Sequence, residues 1–191
     1  MPERATVEGR ERLRLFCGLP LPDDAVDELV AWQARELAGT RETRVVPPGN
    51  LHVTLAFLGG RPTSDVEPVL DVLRAAAARA VPPVLSPSRY RETRSVSMLE
   101  LADEGGHATR LAGRVGKELE RLGVYERERR EWLPHVTVLR FRTRPRLGPP
   151  LPELGRVSPS EAALYHSVLR PSGAQYEIRE SVALGGFDVG S

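Results

Sequence analysis

Leu51-His52-Val53-Thr54-Leu55-Ala56-Phe57-Leu58 alternates apolar and small or polar residues, and it is closed by Gly59-Gly60. Period 2 is the signature of a β-strand with two different faces. Leu51, Val53, Leu55 and Phe57 share one face, which is wholly apolar. His52 and Thr54 share the other, about 6–7 Å apart along the strand. Pro47-Pro48-Gly49-Asn50 precedes the strand as a turn, and Thr43 to Val46 reads as a shorter strand before that.

Working outward, the pattern recurs. Leu133-Pro134 leads into His135-Val136-Thr137-Val138-Leu139-Arg140-Phe141, a second strand that opens on His-Val-Thr. Each copy follows a strand and then a helix. Leu13 to Leu19 is an apolar run, Pro22-Asp23-Asp24 opens a helix, and Gly39 ends it. In the second half, Ser95 to Leu101 alternates. A helix carrying Leu111, Val115, Leu119 and Leu122 follows, with Thr109 expected as its N-cap. Leu13 to His52 and Val96 to His135 are each 39 positions (52 − 13 and 135 − 96). This reads as a duplicated unit whose two motif strands face one cleft.

Between the units, Ser64-Asp65 is expected to cap a helix over 66–80, and Val84 to Tyr90 reads as a strand. After the second motif, residues 143–153 form a Pro- and Arg-rich loop. Segments 156–157, 161–168 and 176–184 close the fold as strands. Residues 1–11 read as a polar N-terminal extension. The fold class is α+β, a single bilobal domain over 1–191.

Composition narrows the function. With 191 residues, 40% of them apolar, the chain can bury a core without staples. Cys17 is the only cysteine, so no internal disulfide or multi-thiolate metal site is possible; in the first strand it reads as a small core residue. The charged start carries no signal-peptide pattern, and no apolar run spans a membrane. A cytoplasmic monomer is the expectation. Net charge is +1, so no global basic field argues for nucleic acid. Lys117 is the only lysine, however, and arginine grips phosphate in a bidentate way.

Two histidines across a cleft can move two protons in one step, one ring taking a proton from water and the other giving one to a leaving oxygen. Thr54 and Thr137 are placed to donate to the oxygens of a phosphate held between them. His107-Ala108-Thr109 also matches His-x-Thr but lacks strand alternation and is set aside.

At these residues the chain resembles the 2H phosphoesterases, whose mark is two His-x-[Thr/Ser]-hydrophobic motifs. It looks most like the LigT-like RNA 2′,3′-cyclic phosphodiesterases. The likeness extends through LRLFCGLPLP (13–22), VPPGNLHVTLAFLG (46–59), WLPHVTVLRF (132–141) and LYHSVLRPSGAQYEI (164–178), within 12–187. It implies antiparallel sheets lining a central cleft with helices outside. His52 and His135 would be catalytic, with His135 as base and His52 as acid, and Thr54 and Thr137 would bind phosphate. The expected product is a 2′-phosphomonoester, formed without metal or cofactor from an RNA carrying a 2′,3′-cyclic phosphate end or from a small cyclic nucleotide. Arg140 stands where the family carries arginine, but its odd offset from His135 puts it on the opposite face unless a bulge intervenes. Trp132 reads either as a base-stacking residue or as a packing aromatic. Arg127, Arg129, Arg130, Arg142, Arg144 and Arg146 flank the second motif as a possible RNA-facing rim. His166, where the family often has Glu, is a departure. The rival readings are a related enzyme for another cyclic nucleotide or a 2′–5′ linkage, a module that binds RNA or a nucleotide without turnover, and a metallohydrolase.

Overall fold

The computed structural model describes residues 11–185. The polar extension over 1–10 lies outside them. Eight strands and three helices follow in order: β1 (Arg12–Pro20), α1 (Asp23–Glu36), β2 (Thr43–Val45), β3 (His52–Pro62), α2 (Val66–Ala78), β4 (Val84–Glu92), β5 (Val96–Glu104), α3 (His107–Arg121), β6 (His135–Phe141), β7 (Glu161–Arg170) and β8 (Gly173–Ala183). All eight strands join one antiparallel sheet in the order β4-β5-β6-β3-β1-β7-β8, with β2 paired to the end of β6. One lobe is β4-β5-β6 and the other β3-β1-β7-β8. The motif strands meet at the seam through a single registered pair, Val53 with Val136.

α1 and α3 each reach across to the other lobe, while α2 covers β7 and β8. α1 follows β1 yet packs behind β6 and β4. Its buried Gln33 donates from Nε2 to the carbonyls of Val46 (3.1 Å) and Val138 (2.8 Å), and Trp32 meets Tyr90 edge-on and donates to Pro150 O. α3 follows β5 and packs against β3 and α2. The apolar faces of all three helices and the inner face of the sheet make one continuous core, including Leu29, Trp32, Leu73, Leu119, Val53 and Val138. Burying side chains of this size stabilises the fold by roughly 1.5–3 kcal/mol each. Cys17 lies in that core, where loss of solvation pushes its thiol pKa up to about 12.

Three local expectations are corrected. Thr109 is not the N-cap of α3: the helix starts at His107 after Gly106, whose φ of 69° suits glycine. Asp103 does the capping, accepting from the backbone N–H groups of Ala108 (3.2 Å) and Thr109 (2.8 Å). The Ser64-Asp65 cap is also absent, because Asp65 pairs with Arg61 at 2.7 Å instead. The equal 39-residue spacing does not extend to register. Val53 faces Leu19, whereas Val136 faces Leu99; these stand six residues beyond Leu13 and three beyond Val96.

Candidate active site

Each motif strand carries a β-bulge three residues after its histidine. In β3, Thr54 pairs with Gly18 and Ala56 with Cys17, leaving Leu55 as the extra residue. In β6, Thr137 pairs with Met98 and Leu139 with Ser97, leaving Val138 extra. A bulge shifts side-chain parity by one. Hence Leu55-Ala56 and Val138-Leu139 are both buried pairs, and the residues after them, Phe57 and Arg140, turn outward with the histidines. The apolar-face assignment of Phe57 is thereby overturned: it is 51% exposed, with the Arg14 guanidinium carbon 5.5 Å from its ring centre. The bulge that Arg140 required is present.

The antiparallel pair Val53–Val136 fixes the rest. One residue to either side, the register sets His52 abreast of Thr137 and Thr54 abreast of His135. The four predicted residues are thus gathered on one face of the seam.

Both imidazoles are oriented through Nδ1. His52 Nδ1 lies 2.8 Å from Asn50 O and His135 Nδ1 lies 2.8 Å from Leu133 O. A carbonyl only accepts, so each Nδ1 carries the proton, and the neutral ring keeps Nε2 as its base. The Thr54 hydroxyl donates to His52 Nε2 at 2.9 Å. His135 faces a cavity of about 720 Å³ that Thr54, Phe57, Arg91, Arg130 and Trp132 also line.

The two rings sit in different surroundings. His52 packs among Phe16, Tyr165 and Tyr176, with ring centres 4.8, 5.3 and 5.4 Å away. Burial lowers its pKa to about 4, and the electrostatic influence of His135 and of the Arg140 guanidinium adds to the effect against the counteracting hydrogen bond to the Asn50 carbonyl. Arg140 is therefore electrostatically coupled to His52, and its Nη2 donates to Tyr176 Oη at 3.4 Å. On β7 it is Tyr165, not His166, that meets His52. Gly18 in β1 allows this packing: a Cβ there would come 2.9 Å from Val53 O and 3.3 Å from His52 Cδ2.

Trp132 is half-buried against the core and donates from Nε1 to Thr54 O at 3.1 Å, tying the approach to β6 onto β3 while one side lines the cavity. Glu100 pairs across from His135, and its carboxylate is engaged by Arg91 at 3.2 Å. His107 is remote from the cleft and bonds Arg110. Among the described residues, no three His, Cys, Asp or Glu side chains gather as a metal site, and no helix is long and apolar enough to cross a membrane. Sequence reasoning missed Phe57, Gly18, Arg91 and the aromatic wall around His52. Of these, only Phe57 had a usable signal, its equivalence to Arg140 five residues after a motif histidine.

The sequence profile of the family described as LigT like Phosphoesterase matches residues 19–87. The chain is 29% identical over 190 residues to an RNA 2′,3′-cyclic phosphodiesterase of Thermus thermophilus, with 91% of each chain covered. It is 28% identical over 181 residues to an RNA 2′,3′-cyclic phosphodiesterase of Archaeoglobus fulgidus, covering 86% of this chain and 97% of that one. A solved structure of a Thermus thermophilus protein superposes with a TM-score of 0.78 at 28% identity, over 91% of this chain and 98% of its own.

Proposed function

We infer that this chain, a LigT-like phosphoesterase in sequence and in fold, hydrolyses the 2′,3′-cyclic phosphate end of RNA to a 2′-phosphomonoester by acid/base catalysis between His52 and His135. The observation that carries the reading is the registered pair at the seam. It sets two His-Val-Thr units head to tail, so that a phosphate between them meets a ring and a hydroxyl from either side.

The step balances without a further reactant. His135 Nε2, open to the cavity through which water arrives, takes a proton as the water oxygen bonds phosphorus. The bond from phosphorus to the 3′-oxygen breaks in line, and that oxygen takes the proton carried by His52 Nε2. Water ends up divided between the new phosphomonoester and the freed 3′-hydroxyl, and the proton passes from His135 back to His52 through solvent. His52 suits the acid role because its ring is walled off by Phe16, Tyr165 and Tyr176. Its low pKa in the empty site reflects burial first and the nearby Arg140 guanidinium. A phosphodiester anion beside the ring offsets both and favours the protonated form, which can then give its proton to the leaving oxygen. Thr54 and Thr137 donate to the non-bridging oxygens as charge builds there. Arg140 supplies a cation at the His52 end.

The test is turnover of a 2′,3′-cyclic nucleotide with chelator present, the product read by phosphorus NMR. A 2′-monophosphate is the expected product. A 3′-monophosphate would overturn the regiochemistry, and activity lost to chelator would overturn the two-histidine mechanism.

A further inference from the structure

A second cavity, of about 430 Å³, opens at the outer edge of β4, between that strand and the segment after β6. Four arginines line it: Arg89, Arg91, Arg144 and Arg146. Arg91 also lines the cavity that His135 and Thr54 face, so the two spaces meet at one side chain.

The arrangement is anchored from below. The Glu92 side chain is only 2% exposed. Its carboxylate accepts from the backbone N–H groups of Arg146 (3.0 Å) and Leu147 (2.7 Å) and from Arg144 Nε (3.0 Å). Arg146 is held at φ 57°, a left-handed conformation that non-glycine residues rarely adopt. Such a conformation persists where its surroundings over-determine it, and the buried carboxylate does so here.

Charge is left over. Glu92 is engaged by Arg144 and Glu100 by Arg91. Neither Arg89 nor Arg146 has a carboxylate partner among the described residues, so four cations less two anions leaves +2 at this edge. Guanidinium groups are weakly hydrated and match phosphate oxygens in a bidentate fork.

We propose that this edge binds the sugar-phosphate backbone of the nucleotides preceding the cyclic end, so that the preferred substrate is a single-stranded RNA end and not a mononucleotide. The proposal rests on the reading of the cleft as a cyclic-phosphate site. A mononucleotide occupies the cleft alone. A longer strand continues past Arg91 onto Arg89, Arg144 and Arg146.

The experiment compares the wild type with the double variant Arg89→Gln, Arg146→Asn, asparagine being a residue that tolerates left-handed backbone. The substrates are a 2′,3′-cyclic mononucleotide and a short oligoribonucleotide with the same end. The wild type should favour the oligonucleotide in kcat/KM. The variant should lose about tenfold on the oligonucleotide alone, with the salt dependence of log(kcat/KM) shallower by roughly 1.4 for two lost phosphate contacts on a single strand. No wild-type preference, an unchanged oligonucleotide rate, or an equal loss on both substrates would each overturn the proposal. If the wild type turns over neither substrate, the reading of the cleft fails first. Fluorescence anisotropy with a labelled single-stranded RNA then decides the edge: weaker binding by the variant supports it, and equal binding overturns it.

Discussion

Val53 and Val136 are antiparallel partners, and each is the central residue of a His-Val-Thr tripeptide. Both are buried, at 0% and 1% exposure, and they join two lobes that share no other registered strand pair between β3 and β6. The arrangement of the two histidines and two threonines therefore depends on an apolar pair beneath it. Each valine fixes the spacing between a histidine of its own strand and a threonine of the other.

The two histidines should separate by leaving group. His52→Ala and His135→Ala are each expected to lose about 10²–10⁴-fold on a cyclic nucleotide, with circular dichroism unchanged. On a phosphodiester with a nitrophenolate leaving group, which departs without a proton, His52→Ala should recover most of its activity and His135→Ala should not. Recovery by the other variant would reverse the acid and base roles.

Stability should fall with acid in a window set by His52. Its folded pKa, about 4, lies below the ordinary value of 6.5, so below pH 6.5 the unfolded chain binds the proton more readily. The associated stability is fully present above pH 6.5 and is lost as pH falls toward 4, by on the order of 3 kcal/mol. Urea melts from pH 7 to 4 should show this slope, and His52→Gln should remove that part of it. An identical slope in the variant would show that other groups govern acid unfolding.

Gly18→Ala should impair both folding and catalysis. The added methyl meets the Val53 carbonyl of the neighbouring strand first, and the His52 and Tyr165 rings next, so the strand pair must shift and the His52 ring with it. Misplacing a reacting group by about 1 Å can cost on the order of 100-fold. Near-normal turnover in Gly18→Ala would mean that the site relaxes around the methyl.

Arg140→Gln should raise the pKa of His52, since it removes a positive charge that lowers it. Titration of the His52 ring by NMR should show the upward shift, and turnover should fall through loss of the cation facing the phosphate. An unmoved titration would place Arg140 too far from His52 to matter.

The threonines should not be equivalent. Thr54 already donates to His52 Nε2, so Thr54→Ala disturbs both ring and phosphate. A loss of about 10²–10³-fold is expected for one transition-state donor, with serine restoring much of it. Thr137→Ala should lose activity without moving the His52 titration.

Strand and helix identity, and the four residues at the seam, were legible because they follow local periodicity. Alternation marked β3 and β6, and apolar spacing marked α1, α2 and α3. Matching failed where a residue's partner is distant along the chain. The bulges at Leu55 and Val138 are mismatches against β1 and β5, so strict alternation within β3 or β6 puts Phe57 and Arg140 on the wrong face. Asp103 caps α3 in place of Thr109 because the helix starts two residues before Thr109, and Asp103 reaches its first-turn N–H groups from the end of β5. The arginines of the 144–146 segment, legible only as a charged loop, acquire a shared edge through Glu92, 52 and 54 residues earlier. Residue types and their periods set what each segment could become and which side chains could carry the chemistry. Side-chain facing, capping and charge pairing were settled by which strands came to lie together, since each depends on distances between segments that the chain order does not contain.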